Sequence, residues 1–311
     1  MKHIVVVLLL FASASAEAAW LRGNLHTHTL ESDGDSTPAD VAAWYRDHGY
    51  DFLVITDHDK ITKLDADAAL VLIPGEEVTD HLPKKPIHVN AIGIGTAVAP
   101  QGGATPVEVL QRNVDAIRKA GGLALINHPN FGWAFGADEL LKVEGASFLE
   151  IASGHPYVNE QGPPSTEAMW DQLLTAGRRI WGVGVDDVHH LKRPWDTDIA
   201  PPGKAWVCVR ADERKPAAIL AALAGGDFYA STGVWIDDYS ATAKELQVTV
   251  REKNGARYEI AFIGDGGRVL QTSRGAKATY VITGKERYVR AKVTDSNGRA
   301  AWLQPAFAGG R

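Results

Sequence analysis

From Trp20 onward the chain alternates short apolar runs with amphipathic stretches. The runs "DFLVIT", "AALVLIP", "GLALIN", "SFLEIA" and "IWGVGV" are of the kind that forms strands buried on both faces. Helix start and stop signals lie between them. Thr37-Pro38 opens a helix running to His48-Gly49, with Thr as the cap and Pro in the first turn. Thr105-Pro106-Val107-Glu108 has the form of a capping box. Its helix would carry Val107, Leu110, Val114 and Ile117 on one face and stop at Gly121-Gly122. Ser165-Thr166 starts a further helix that ends near Gly177, and Lys215-Pro216 another that ends at Gly225-Gly226. Such alternation predicts an α/β fold of parallel strands with helices outside, as a barrel or a doubly wound sheet.

After about residue 236 the pattern changes to alternating strands, "KELQVTVREK", "RYEIAFIGDGG", "ATYVITGK" and "ERYVRAKVTDSNGRAAWLQP", separated by Asn-Gly and Gly-Gly turns. This predicts a small antiparallel sandwich over 237–311, after an α/β domain over 19–236. The opening "MKHIVVVLLLFASASAEAA" has a basic start, an apolar core and an Ala16-Glu17-Ala18 cleavage pattern. It reads as a signal peptide over 1–18, with an apolar core too short to span a bilayer. The expectation is an exported protein, periplasmic or secreted, with no stable membrane insertion after cleavage.

Composition narrows the chemistry. The 311 residues carry a formal net charge of −6 with no basic cluster, which argues against a nucleic-acid partner. The single cysteine, Cys208, excludes zinc-thiolate sites, so any metal must be held by histidine and carboxylate. Against that background, "LRGNLHTHTLESDG" stands out. On a strand, residues i and i+2 share a face, so His26 and His28 converge on one point. A solvent-facing polar strand end would read the same way. The difference lies in what stands at the other strand exits. "DFLVIT" runs into Asp57-His58, "VLIP" into Gly75-Glu76-Glu77, "LALIN" into His128 and "IWGVGV" into Asp186-Asp187-Val188-His189-His190, while "KPIHVN" carries His88. In parallel α/β folds those exits form one rim. Imidazole and carboxylate without thiolate suit divalent Mn, Fe or Zn, and so many candidates suit two or three ions. Asp57 and Asp186 precede ligand candidates and read as groups that orient imidazoles.

The ordered set HTH, SDG, TDH, PGEE, H, NHP and DxH resembles the PHP superfamily, named for polymerase and histidinol phosphatase. More narrowly it resembles an exported bacterial subgroup of metal-dependent hydrolases with a "GVDDVHH"-like run and a tail like "GDFYASTGVWIDDYS". The resemblance implies a distorted, TIM-like seven-stranded βα barrel with a metal cluster at its carboxyl rim. It implies that His26, His28 and Asp187 hold one metal, with Glu77 rather than Glu76 as the bridge. His88 and His128 would hold a second metal, and Asp33, His58 and His189 a third. Asp33 stands where some relatives have histidine, and Glu150 matches an acidic position common in the family.

The implied activity is phosphoester hydrolysis by a metal-bridging hydroxide. Asp57, His155 or His190 would protonate the leaving group. Lys60, Lys84, Lys85, Lys192 and Arg193 are candidate cations for the phosphate, with Lys192 and Arg193 favoured by their place after the DDVHH run. Aromatic residues in "NFGWAFG", Trp133 beside Phe131 and Phe135, offer apolar surface to a small-molecule substrate. An alternative is hydrolysis of a carbamate, amide or carboxylic ester at the same centre. A second is an exported metal- or ligand-binding module without turnover. Of the other histidines, His3 belongs to the signal segment, His48 reads as a helix-end cation and His81 as a loop residue. The sequence leaves the oligomeric state open.

Overall fold

A computed structural model describes residues 19–158, 161–193, 196 and 198–307. The signal-peptide segment, 1–18, lies outside the described residues. The first part of the chain comprises strands β1 (Ala19–Asn24), β2 (Phe52–Ile55), β3 (Val71–Leu82), β4 (Lys85–Ile92), β5 (Leu123–Ile126), β6 (Phe148–Ser153) and β7 (Trp181–Val185). Between them stand helices α1 (Pro38–Asp47), α2 (Pro106–Lys119), α3 (Ala137–Leu140) and α4 (Thr166–Thr175). The chain continues through β8 (Trp206–Ala211), α5 (Pro216–Gly225) and β9 (Phe228–Ser231).

The helix starts follow the capping chemistry. Thr37 Oγ1 accepts the Asp40 N–H, and Thr105 Oγ1 accepts the Glu108 N–H. Glu108 reaches back to the N–H of Ala104, one residue before the cap, rather than to Thr105 itself. On α2 the buried face is Val109, Leu110, Val114 and Ile117, with Val107 only partly covered. α5 ends as predicted at Gly226, whose φ of 74° is the left-handed conformation that glycine adopts without steric cost.

The strands depart from the all-parallel expectation. β1, β2 and β3 pair in parallel, as do β5, β6 and β7, but β4 runs antiparallel to both β3 and β5. The cause is the connection. Leu82 pairs with Lys85, so only Pro83 and Lys84 turn the chain, and Lys84 takes a φ of 64°. A parallel crossover needs a dozen or more residues, so this link can only make a hairpin. Hydrogen bonding does not close these strands into a TIM-like barrel. The second neighbour of β1 is β8, antiparallel to it, and β7 ends the sheet. Closure occurs at the rim alone, through a parallel bridge between Thr27 and Val188.

The remaining strands are β10 (Ile236–Ala241), β11 (Glu245–Val250), β12 (Tyr258–Gly264), β13 (Arg268–Arg274), β14 (Lys277–Val281), β15 (Tyr288–Asp295) and β16 (Ala300–Phe307). β10, β11 and β14 form a small sheet. Its Leu246, Val248 and Val250 share a core with Ile260, Phe262, Val293 and Leu303 of the large sheet. Pairing of β16 with β9 carries the large sheet across residue 236. The buried Arg290 of β15 also grips α4: Nε lies 2.7 Å from Asp171 Oδ1, and Nη2 2.8 Å from Glu167 Oε1. Among the described residues, no helix is long and apolar enough to cross a membrane.

The free edge of β7 is served by a side chain instead of a strand. Gln304 on β16 accepts the Gly182 N–H at 3.0 Å and donates to the Gly182 carbonyl at 2.8 Å, fully buried. Gln304→Leu leaves both backbone groups buried without partners, a loss of about 2–4 kcal/mol. A urea titration should show that loss as a lowered midpoint; an unchanged midpoint would refute the assignment.

Candidate metal centre

β3 places Glu77 on the side of the strand opposite Glu76, because successive side chains alternate. Glu76 Oε1 accepts the Val98 N–H at 2.5 Å, away from the histidines. Glu77 faces them. Its Oε1 lies 3.0 Å from His88 Nδ1, 3.4 Å from His26 Nε2 and 3.5 Å from His128 Nε2. Its Oε2 lies 3.1 Å from His58 Nδ1 and 3.2 Å from His28 Nε2. Five imidazoles thus surround one carboxylate. Neither Glu77 nor His88 stands at a strand exit, as the run-into-rim reading expects. Both lie inside the β3–β4 hairpin, where His88 pairs with Thr79.

His26 and His28 lie just past the end of β1 rather than on it, on either side of the Thr27–Val188 bridge, and their Nε2 atoms converge to 3.1 Å. Asp187 joins them from the exit of β7, 3.2 Å from His26 Nε2 and 3.4 Å from His28 Nε2. Its φ of 49° is a left-handed turn that aspartate tolerates better than most residues, and its N–H donates to the His26 carbonyl. Asp33 is half exposed and lies 3.4 Å from both His28 Nδ1 and His58 Nε2 and 3.3 Å from His189 Nε2. The ligand atoms fall into four overlapping groups, each within 4.8 Å: His28, Asp33, His58, His189; His26, His128, Asp187; His26, His28, Glu77; and Glu77, His88, His128.

Supporting groups fix this arrangement. Glu150 Oε1 lies 2.6 Å from His26 Nδ1, and its Oε2 accepts the His128 N–H at 2.9 Å, so one carboxylate orients two ligand candidates. Asp57 and Asp186 do not orient imidazoles directly. Asp57 accepts from Thr29 N–H, Thr29 Oγ1, Ser32 Oγ and Thr62 Oγ1, which pins the 29–32 loop and reaches His28 through Ser32. Asp186 accepts from Tyr45 and from the N–H groups of Gly203, Lys204 and Ala205. Both Asp57 oxygens are engaged in this way, and Asp57 does not line the cleft.

Three supports escape the sequence reading. Asn127 donates to Glu77 Oε1 at 2.7 Å, Thr79 Oγ1 lies 2.5 Å from His58 Nδ1, and Ser32 links Asp57 to His28. Thr79 had a usable signal, its place two residues beyond Glu77 on the same strand face.

Electrostatics follow from burial and charge. Burial alone would raise Glu77, but the His88 and His26 charges outweigh it and hold the carboxyl well below its usual range. Burial alone would lower His26, but Asp187, Glu77 and Glu150 raise it well above the usual histidine value. Burial pushes His155 down to about 4: Asp187 pulls it up, but the charges of His189, His128 and His26 add to the lowering.

The ligand candidates other than the fully buried His26 line a cleft of about 210 Å³ with Phe131, His155 and His190. The Tyr157 N–H donates to His155 Nδ1, and the Ala200 N–H to His190 Nδ1, which leaves Nε2–H as the donor of each neutral ring. The candidate cations are elsewhere. Lys192 and Arg193 are exposed and do not line the cleft, and Arg193 faces Asp196 at 3.7 Å. Lys60 pairs with Glu31 at 2.6 Å, and Lys84 and Lys85 lie at the β3–β4 turn. Trp133 sits outside the cleft lining, with its ring over Gly162, and Phe135 is buried in the core. His48 donates from Nδ1 to the Trp44 carbonyl at the end of α1, and His81 is exposed.

No family model and no curated protein matches the sequence. Solved structures are similar to it. A two-domain protein from Bacteroides vulgatus, described as containing a predicted PHP-like metal-dependent phosphoesterase, has a TM-score of 0.52 at 16% identity, over 93% of this chain and 96% of its own. An amidohydrolase from Chromobacterium violaceum, with sulfate bound and no metal, has a TM-score of 0.42 at 19% identity, over 58% of this chain and 92% of its own. A candidate metal-dependent phosphoesterase from Bifidobacterium adolescentis has a TM-score of 0.40 at 16% identity, over 56% and 89%. What the chain shares with the Bacteroides protein is its fold, a mixed α/β structure with a large sheet and few helices, over nearly the whole of each chain.

Proposed function

We propose that the chain is a metal-dependent hydrolase whose two or three divalent ions, Mn, Fe or Zn, are held by His26, His28, Asp33, His58, Glu77, His88, His128, Asp187 and His189. The observation that carries this reading is the convergence of five imidazoles on the buried Glu77 carboxylate. The donor set fits: every ligand atom is an imidazole nitrogen or carboxylate oxygen, a chemistry that suits these ions. His88 Nδ1 also lies beside Glu77 without forming a hydrogen bond, a buried donor atom free to ligate. Bound ions would supply Lewis acidity and a water acidic enough to attack at neutral pH. The chain's own residues do the rest. Glu150 and Asn127 hold His26, His128 and Glu77 in place, and His155 and His190 present neutral N–H donors to the substrate oxygens.

Phosphate esters are the first substrate class we propose, because a site wide enough for several cations suits charge spread over phosphoryl oxygens. One observation favours a carbamate, amide or carboxylic ester instead: no lysine or arginine lines the cleft among the described residues. On either reading the protein would act outside the cytoplasm on a small molecule.

The test is metal content and turnover of purified mature protein, with a phosphate ester and a carboxylic ester of the same chromogenic alcohol. Chelation should abolish turnover and one of the three metals restore it, and His26→Ala should lower both metal content and activity, the latter by at least about a hundredfold. Turnover indifferent to chelator would refute the proposal.

Burial would lower His28, but hydrogen bonds to Asp187 and Glu77 outweigh it and hold the ring up at about 9, against an ordinary 6.5. Its contribution to metal-free stability is therefore fully present below about 6.5 and lost as pH rises through about 9. Chelated protein should lose thermal stability across that window, whereas metal-loaded protein, whose imidazoles are already deprotonated, should not. Metal uptake near pH 7.5 should release about one proton or more per chain. Calorimetry in buffers of different ionisation enthalpy measures this, and heat independent of buffer would contradict it.

A further inference from the structure

A line of rings leads outward from the candidate metal centre. His128 and Phe131 meet edge to face with centroids 5.2 Å apart, Phe131 and His155 at 5.7 Å, and His155 and Tyr157 at 5.5 Å. Phe131 and His155 line the cleft, and Tyr157 stands at the outer end, 56% exposed. Of the five exposed large apolar side chains among the described residues, Val269 and Val281 lie on β13 and β14, and the other three stand close in the chain to residues of the cleft. Leu30 follows His28 by two residues, Trp133 follows His128 by five, and Tyr157 follows His155 by two. Rings used for packing go elsewhere, as Phe135 does in the core.

The wall is held to the same strand exits as the ligand candidates. The Phe131 N–H donates to the His128 carbonyl at 2.9 Å, in a short turn that Gly132 completes with a φ of 59°. At Gly154 a Cβ would come within 2.7 Å of the Asp186 carbonyl, so only glycine lets the backbone before His155 lie this close to the β7 exit. The Gly154 N–H donates to the Val185 carbonyl at 2.9 Å. The backbone that carries Phe131 and His155 is held in this way, which lowers the cost of ordering the wall around a planar partner.

We propose that Phe131, His155 and Tyr157 form a subsite for an uncharged aromatic group of the substrate, so that this protein hydrolyses aryl esters in preference to alkyl esters of the same acid. The proposal rests on the hydrolase reading above and holds whether the reacting centre is phosphorus or carbon. The chemistry of the wall supports it: three aromatic rings and, among the described residues, no lysine or arginine, a surface that suits a neutral ring better than a second anionic group.

The test compares phenyl and ethyl esters of the same acid, one pair carboxylic and one pair phosphoric, in wild type, Phe131→Ala and Tyr157→Ala, with metal content measured for each. Tyr157 is exposed, so its truncation does not threaten folding. Each variant should keep its metal while the phenyl-to-ethyl ratio of kcat/KM falls about tenfold, mainly through a raised KM for the phenyl ester. Turnover with an unchanged ratio in both variants overturns the subsite alone. Wild-type protein that turns over no ester with Mn, Fe or Zn overturns the hydrolase reading and the subsite with it.

Discussion

A carboxylate buried to 1% exposure in the middle of a strand is the constraint on which the site depends. An ionised carboxylate placed there alone would take up a proton rather than stay charged. Glu77 keeps its charge because His26, His28, His58, His88 and His128 surround it and Asn127 donates to it. Those partners come from the exits of β1, β2 and β5 and from within β4, so none of these strands can shift register without uncovering Glu77. The same geometry that satisfies one acid brings together ligand groups far apart in the chain. Stability and site architecture here share a single interaction.

Topology serves that requirement. The two-residue turn after Leu82 forces β4 to run antiparallel, and the hairpin carries Glu77 and His88 into the cluster from inside the sheet. Strand pairing does not close around it. Instead the rim joins through the Thr27–Val188 bridge, and Gln304 from the last strand completes the backbone hydrogen bonds of Gly182 on β7. The C-terminal strands therefore support the strand that ends in Asp187. Through Arg290 they also hold α4, the helix that follows the loop bearing His155 and Tyr157.

The ligand candidates are legible in the sequence because strand alternation and short apolar runs are local signals. His26 and His28 converge although both lie past the end of β1, and the choice of Glu77 over Glu76 rests in the sequence on the family resemblance alone, while in the structure Glu77 is the one that faces the histidines. What the sequence hides is long-range. Asp57 and Asp186 look like partners for the adjacent histidines but bond loop backbone and hydroxyls, because their neighbours are set by packing and not by chain order. The antiparallel turn of β4 is written in "LPKKP", yet an apolar run reads alike in either direction. Lys192 and Arg193 follow the DDVHH run closely, but Asp35 accepts the Lys192 backbone N–H and the segment stays outside the cleft. Phe131 rather than Trp133 enters the cleft, a choice made by one turn beside His128.

Anomalous X-ray diffraction from crystals grown with Mn, Fe or Zn, recorded across each metal's absorption edge, tests the central claim most directly. The account predicts two or three peaks grouped about the Glu77 carboxylate, one of them beside both His88 and His128. No peak at Glu77, or peaks confined to other parts of the surface, would contradict it.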